Sequence, residues 1–426
     1  VVDFAPTPDI AHEIPESSPR AFADFLLSTE ACVLMIVDIS GAQSMHDEII
    51  AWRRDLHANP ELGYELPRTA SFVAEKLRAV GCDQITEGVG RSGVVGVIHG
   101  RKHSSGRVVG LRADMDALPI HETTGLSYAS TTEGRMHACG HDGHTAMLLG
   151  AAKALAETRN FDGTAVLIFQ PAEEGQAGAK AMCDDGLMTR WGIESVFALH
   201  NEPGLDVGRF ATRTGPFGAA VASFKITVDG KSAHSASPHA GVDALLPAAN
   251  ILIALQTVIA RNVHPLKSGV ISFGSFQGGK PGGTFVGSSE LRGLARWFEP
   301  EVRDAMHRRI IEISEGIAAS YGATATVTFR NLYPPVVNHP AETTLAVEVA
   351  RTVMGKDAVD PDHSQLMGSE DFAFMLEQRP GNIALLGNGA TAGLHDSAYD
   401  FNDAAIPFGV AYWRRLIEAS MPVQTP

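Results

Sequence analysis

The sequence predicts an α/β protein: a mixed, largely parallel sheet flanked by helices, interrupted by a smaller α+β domain of ferredoxin-like plan. Three observations carry that expectation. Short apolar runs, each passing directly into polar residues, alternate with helical stretches, as in a layered parallel sheet. A stretch in the middle follows a different order of elements. At 426 residues the chain is also too long for a single compact core.

The elements follow in order. Ile49, Ile50, Trp52 and Leu56 have helical spacing and stop near Asn59-Pro60, and Phe72, Val73, Leu77 and Val80 form a second stripe closed by Gly81. Apolar runs at 108–111, 165–169, 196–199 and 383–386 predict buried strands. A helix over 145–157 carries Met147, Leu148, Ala151 and Leu155 on one face. The strands exit to Asp114 and Asp116, to Glu173 and Glu174, to His200, and through a glycine-containing loop to His395. Ligands of such sheets gather beyond the carboxyl ends of the strands, where these acids and histidines stand.

From about 217 to 329 the expected order is strand (222–228), helix (245–260), strand (270–273), strand (291–297), helix (302–319) and strand (325–329). This β-α-β-β-α-β order is the split ferredoxin-like plan. Residues 217–329 are therefore expected to be an inserted domain, with 45–216 and 330–426 forming the other. Residues 1–44 lack such periodicity and are rich in Pro, Glu and Ser around one apolar patch, Val33 to Val37. Acids rather than a basic segment precede that patch, which argues against a signal peptide. The segment reads as a dispensable extension, with Met45 a plausible natural start.

Composition excludes some functions. The net charge of −15 would repel a nucleic-acid backbone or an anionic membrane surface, and no apolar run approaches the length of a membrane span. Cys32, Cys82, Cys139 and Cys183 show no framework spacing, so reduced thiols and a cytoplasmic location are expected.

The chemistry concentrates in a few short motifs. In Cys139-Gly140-His141-Asp142-Gly143-His144 a thiol and an imidazole two apart enter a helix, a spacing that suits a divalent metal, although the pair alone fits an ordinary loop equally well. Glu173 and Glu174 end an apolar strand, where adjacent carboxylates are costly unless a cation or a proton intervenes. His200 and His395 are each more often structural when taken singly. Together, one sheet edge would carry donors enough for two ions and too many for one open catalytic zinc.

With these motifs in place the chain resembles the M20 metallopeptidases, in the amidohydrolase branch of hippurate hydrolases, aminoacylases and plant auxin-conjugate hydrolases. The likeness runs from Trp52 to Trp413 and includes Arg54 to Leu62, Leu111 to Pro119, His137 to His144, Gln170 to Gly175, His234-Ser235-Ala236, Ser369 to Phe372 and His395 to Asp403. It implies a zinc-exopeptidase-like fold whose inserted domain serves as lid and dimerisation surface. Carried onto this sequence, the metal ligands are Cys139, His141, Glu174, His200 and His395. Glu173 resembles the general base, Asp116 an acid that orients a ligand, and His234 the residue that polarises the scissile carbonyl, sometimes across a dimer interface. His137, His144 and His239 keep packing or supporting roles. Two segments depart from the family pattern: Gly282 to Gly287 replaces an Asn-Val-Ile-Pro stretch, and Gly293-Leu294-Ala295-Arg296 keeps only the ends of Gly-Thr-x-Arg.

The resemblance implies amide hydrolysis of a small N-acyl amino acid by two divalent ions, zinc or else manganese, with small-peptidase activity the alternative within the family. A homo-oligomer formed through the insertion is implied as well. Two rivals carry distinct expectations. A Cys139-nucleophile amidase would survive chelation, and nearby carboxylates are expected to hold that thiol up. A non-catalytic protein would use its metals only to brace the fold.

Overall fold

The computed structural model describes residues 42–279 and 282–423. The proposed extension at 1–44, with its apolar patch, lies almost wholly outside them. Helix α1 (Ala42–Ala58) is followed by α2 (Pro67–Ala79), whose first-turn proline suits a position with no amide partner and whose buried stripe includes Val73 and Leu77. Strands β1 (Gln84–Val89), β2 (Gly93–His99), β3 (Val108–Asp114), β4 (Thr164–Gln170), β5 (Ser195–Pro203), β6 (Phe210–Ala211), β13 (Val359–Asp360) and β14 (Gly381–Gly389) form one eight-stranded sheet in the order β1-β2-β4-β3-β5-β14-β6-β13. Its centre, β4-β3-β5-β14, is parallel, and β1 and β2 form an antiparallel hairpin at one edge.

That hairpin was not expected from the sequence. Its glycines interrupt the apolar runs, and Arg91 turns the chain with φ 86°, a conformation the sequence does not advertise. Helix α3 (His141–Thr158) packs on the sheet and is buried along nearly its whole length, so it shows almost no polar stripe. It also begins four residues before the expected start, which puts His141 and His144 in its first turn.

The second sheet contains β8 (Ala220–Asp229), β9 (Gly269–Gly278), β10 (Ser288–Trp297) and β11 (Thr324–Tyr333) in the order β11-β8-β10-β9, antiparallel throughout. Helices α4 (Leu245–Leu255), α5 (Thr257–Asn262) and α6 (Pro300–Ser320) belong to it. Alternate strand residues such as Phe224, Ile226 and Leu291 meet Ile251, Leu255, Met306 and Ile310 in a core separate from that of the large sheet. The single helix expected over 245–260 is in fact two, meeting at Gln256. The chain enters and leaves through a two-stranded ribbon, β7 (Gly215–Gly218) against β12 (Val336–Asn338). Helices α7 (Pro340–Met354) and α8 (Ile406–Ser420) complete the layers around the large sheet. No helix among the described residues is long and apolar enough to cross a membrane.

Candidate metal centre

The parallel strands end beside one cavity of about 510 Å³, lined by Cys139, Glu173, Glu174, His200 and His395 and, from the second sheet, by Leu294 and Arg296. Three groups of donors each lie within 4.8 Å of one another: Cys139 with His141 and His200, Cys139 with Glu174 and His395, and His141 with Glu173 and Glu174. The five expected ligands and the expected base are thus brought together, with Cys139 shared between two of the groups.

Local geometry aims these side chains. Gly140 precedes α3 at φ 85°, and a Cβ there would stand 2.3 Å from Asn201 Nδ2 and 2.5 Å from Tyr399 Oη, so only glycine lets Cys139 and His141 turn inward together. His141 Nδ1 donates to the Asp116 carbonyl at 2.8 Å, and His200 Nδ1 to the Asn201 carbonyl at 2.7 Å. Each bond fixes the tautomer and leaves the Nε2 lone pair for the cavity. His141 Nε2 is buried with no hydrogen-bond partner, and His200 Nε2 lies 3.6 Å from Cys139 Sγ. His395 holds φ 65°, with its amide donating to the Ala138 carbonyl at 2.7 Å and its Nε2 lying 3.2 Å from Glu174 Oε1. Such strain in a non-glycine residue persists only where the surroundings enforce it.

His144 is different. Its Nδ1 pairs with Asp114 Oδ1 at 2.6 Å and its Nε2 accepts from the Asn201 amide at 2.9 Å, so neither nitrogen is left for a ligand. His137 is buried, and both of its nitrogens lack a hydrogen-bond partner. His239 lies exposed in the short turn Pro238–Ala240.

Asp116 does more than orient one ligand. Its carboxylate accepts the Glu173 amide at 3.0 Å and the Glu174 amide at 3.1 Å, while its backbone carbonyl is what holds His141. Both glutamates therefore sit on a turn braced from below. His234 is not at the cavity. It is exposed in the second domain, where its Nδ1 accepts the Ala236 amide at 3.1 Å.

The electrostatics separate the two glutamates. Burial, then Glu370, Glu174 and Asp371, push the Glu173 carboxyl well above its ordinary range, whereas contact with His395 and the charge of His141 outweigh burial and lower Glu174. Burial alone would raise the Cys139 thiol, but His141 and His200 outweigh it and bring it to about 6. This corrects the expectation that carboxylates would dominate the thiol, because imidazoles are folded against it, with His200 Nε2 at 3.6 Å. Hydrogen bonding to Cys139 and Glu174 raises His395 to about 10.

Sequence reasoning gave no role to the charged layer beneath. Arg112, in the middle of β3, is buried and binds Asp114 at 2.8 Å, Glu370 at 2.9 Å and Asp371 at 3.2 Å. An arginine inside an apolar strand was the available signal, since a buried charge must find partners. Two of its partners, Glu370 and Asp371, also face Glu173.

These strand-end donors lie inside the span of a family match: residues 110–419 match the profile of peptidase family M20/M25/M40. The chain belongs to the M20 family. An N-acetyl-L-cysteine deacetylase of Bacillus subtilis is 40% identical over 85% of this chain and 86% of its own length. A hippurate hydrolase of Campylobacter jejuni is 38% identical over 90% of this chain and 98% of its own. Among solved structures, a dinuclear metal-binding M20 peptidase of Bacillus subtilis superposes with TM-score 0.78 at 32% identity, covering 89% of this chain and 99% of that one. The M20 fold thus accounts for the mixed sheet and for the convergence of donors at its carboxyl edge.

Proposed function

We propose that this M20 chain hydrolyses the amide bond of N-acyl amino acids, with Cys139, His141, Glu174, His200 and His395 holding two divalent cations. The observation that carries the reading is the pair of donor triads sharing Cys139, each with ring nitrogens aimed inward. The donors fit such ions: a thiol already lowered, a buried Nε2 without a partner, and carboxylates gathered where their charges repel. The thiolate and imidazoles favour zinc over manganese.

Bound there, the cations would polarise the substrate carbonyl and acidify water. Glu173 is the base. Buried and held above the ordinary carboxylate range, it takes a proton from the attacking water and passes it to the departing amine. Arg296 has no carboxylate partner among the described residues and donates only to the Met367 carbonyl at 2.8 Å and Ser369 Oγ at 2.7 Å. Its remaining donors suit the carboxylate of the amino acid. Apolar walls including Phe217, Leu294, Leu332 and Leu366 suit the acyl group. Leu294 stands where the family pattern has threonine.

His234 acts on the scissile carbonyl from the second domain, by closure of that domain as a lid or from a partner subunit. The second route is supported by exposed Leu246 and Ile253 on α4 and by exposed Phe276 on β9, an edge strand of its sheet. A homodimer built on this face is the assembly proposed. The described cysteines are free, which suits a reducing compartment such as the cytoplasm.

The test is metal-reconstituted protein against N-acetyl, N-benzoyl and longer N-acyl amino acids alongside dipeptides, reading released amine. Cleavage confined to dipeptides favours the peptidase alternative, and no cleavage at all removes the proposal. His234→Ala should lower kcat by on the order of 10²-fold with both metals retained, as for loss of one oxyanion donor. Metal analysis checks this, because loss of metal would make His234 a ligand.

A further inference from the structure

We infer that Tyr333 is a positioning residue, which sets the general base Glu173 by gripping its peptide from the insertion's exit strand; this rests on the hydrolytic reading above. Tyr333 ends β11, and its hydroxyl donates to the Glu173 carbonyl at 2.5 Å while accepting the Ala177 amide at 3.4 Å. On the opposite side, Asp116 Oδ2 accepts the Glu174 amide at 3.1 Å. The peptide linking the two glutamates is thus held at its oxygen by one side chain and at its N–H by another.

The turn requires this grip. Ala172 has φ 56° and ψ 38°, Glu174 departs from helical geometry at ψ 75°, and Gly175 has φ 83°. A left-handed alanine beside a distorted glutamate is not the preferred state of a free loop, and it relaxes unless its surroundings hold it. Glu173 has its carboxyl in the cavity, so rotation about this peptide moves the base directly.

Tyr333 is itself fixed. It is 7% exposed, its ring meets Phe374 edge-on with centroids 6.1 Å apart, and Pro334-Pro335 stiffens the step into β12. Burial, with Asp371 and Glu173 nearby, pushes its hydroxyl upward, so it remains a proton donor. β12 pairs with β7 in the ribbon that joins the two sheets. The tyrosine therefore stands where the second domain returns, and its hydroxyl ties that junction to the catalytic turn. The role differs from that of Asp116, which follows β3 of the large sheet.

The experiment is a double-mutant cycle between Tyr333→Phe and Glu173→Gln, with metal content and thermal midpoint measured on each variant. Tyr333→Phe should lower single-turnover rate on the order of tenfold, with KM within twofold and both metals kept, since small misplacements of a catalytic group cost rate before binding. In the Glu173→Gln background the same change should cost less than twofold, because the base it positions is gone. An equal loss in both backgrounds, or a rise in KM alone, overturns the inference. So does an unchanged rate for Tyr333→Phe beside a crippled Glu173→Gln, which leaves the base assignment standing. Near wild-type rate in Glu173→Gln itself removes the base and this inference together.

Discussion

Glu173→Gln should lower turnover on the order of 10²–10⁴-fold, about 3–5 kcal/mol of barrier, while metal content and KM change little. The amide is nearly isosteric and keeps a hydrogen-bonding oxygen, but it cannot take the proton from water. Of the two adjacent glutamates, Glu173 is the one whose affinity for a proton is raised, by burial and by Glu370, Glu174 and Asp371, as suits a base. Glu174→Gln should behave differently. Glu174 Oε1 faces His395 Nε2 and shares a donor group with Cys139, so its loss should weaken metal binding, and excess metal should restore part of the rate. Metal analysis beside single-turnover rates on both variants separates the two roles. Loss of metal in Glu173→Gln with retention in Glu174→Gln would exchange the assignments, and wild-type rates in both would end the hydrolytic mechanism.

Removing the metals should silence the protein, with activity falling at least about 10²-fold on chelation and returning on addition of zinc or manganese. Cys139→Ser should lower metal content and turnover together, because a serine hydroxyl is a weak donor at neutral pH where the thiol at about 6 is largely ionised. This experiment also decides for or against the rival in which Cys139 is the nucleophile. A thiol lowered to about 6 with a histidine nitrogen 3.6 Å away resembles an activated nucleophile as well as a ligand. A nucleophilic Cys139 would work fully after chelation and die on alkylation. Retained activity in the metal-free protein would therefore overturn the metal reading and leave the thiol mechanism in its place. Uptake of metal by the free protein should release protons, since the raised imidazoles of His141 and His200 give them up to the cations.

How far the sequence reaches differs from residue to residue. The parallel strands were legible because they are buried on both faces, and burial writes itself as an unbroken apolar run ending at a polar residue. The hairpin at the sheet edge was not, because β1 (Gln84–Val89) is mostly polar and Gly93 and Gly96 break up the apolar run of β2. The helix over 245–260 was legible as helix, but its break at Gln256 was not, since no proline or glycine stands there to mark it. Within the cavity, the spacing of Cys139 and His141 and the cost of adjacent charges at Glu173 and Glu174 were each suggestive, and only their combination pointed to a metal. Their convergence with His395 is not local at all: it depends on β14 lying beside β5 in the sheet.

Residue types and their order along the chain thus determined the layered fold, and the family resemblance they carry supplied the expected donors. Tertiary structure alone decided the partners of each histidine. His144 loses both nitrogens to Asp114 and Asn201, while His141, one turn away on α3, keeps Nε2 for the cavity. It also placed Arg112 beneath Glu173, brought His141 and His200 close enough to outweigh burial at the thiol, and set His234 outside the cavity. The physical reason is that hydrogen bonds and charge interactions act over a few ångströms. Residues far apart in sequence come within that range only once strands have chosen their neighbours.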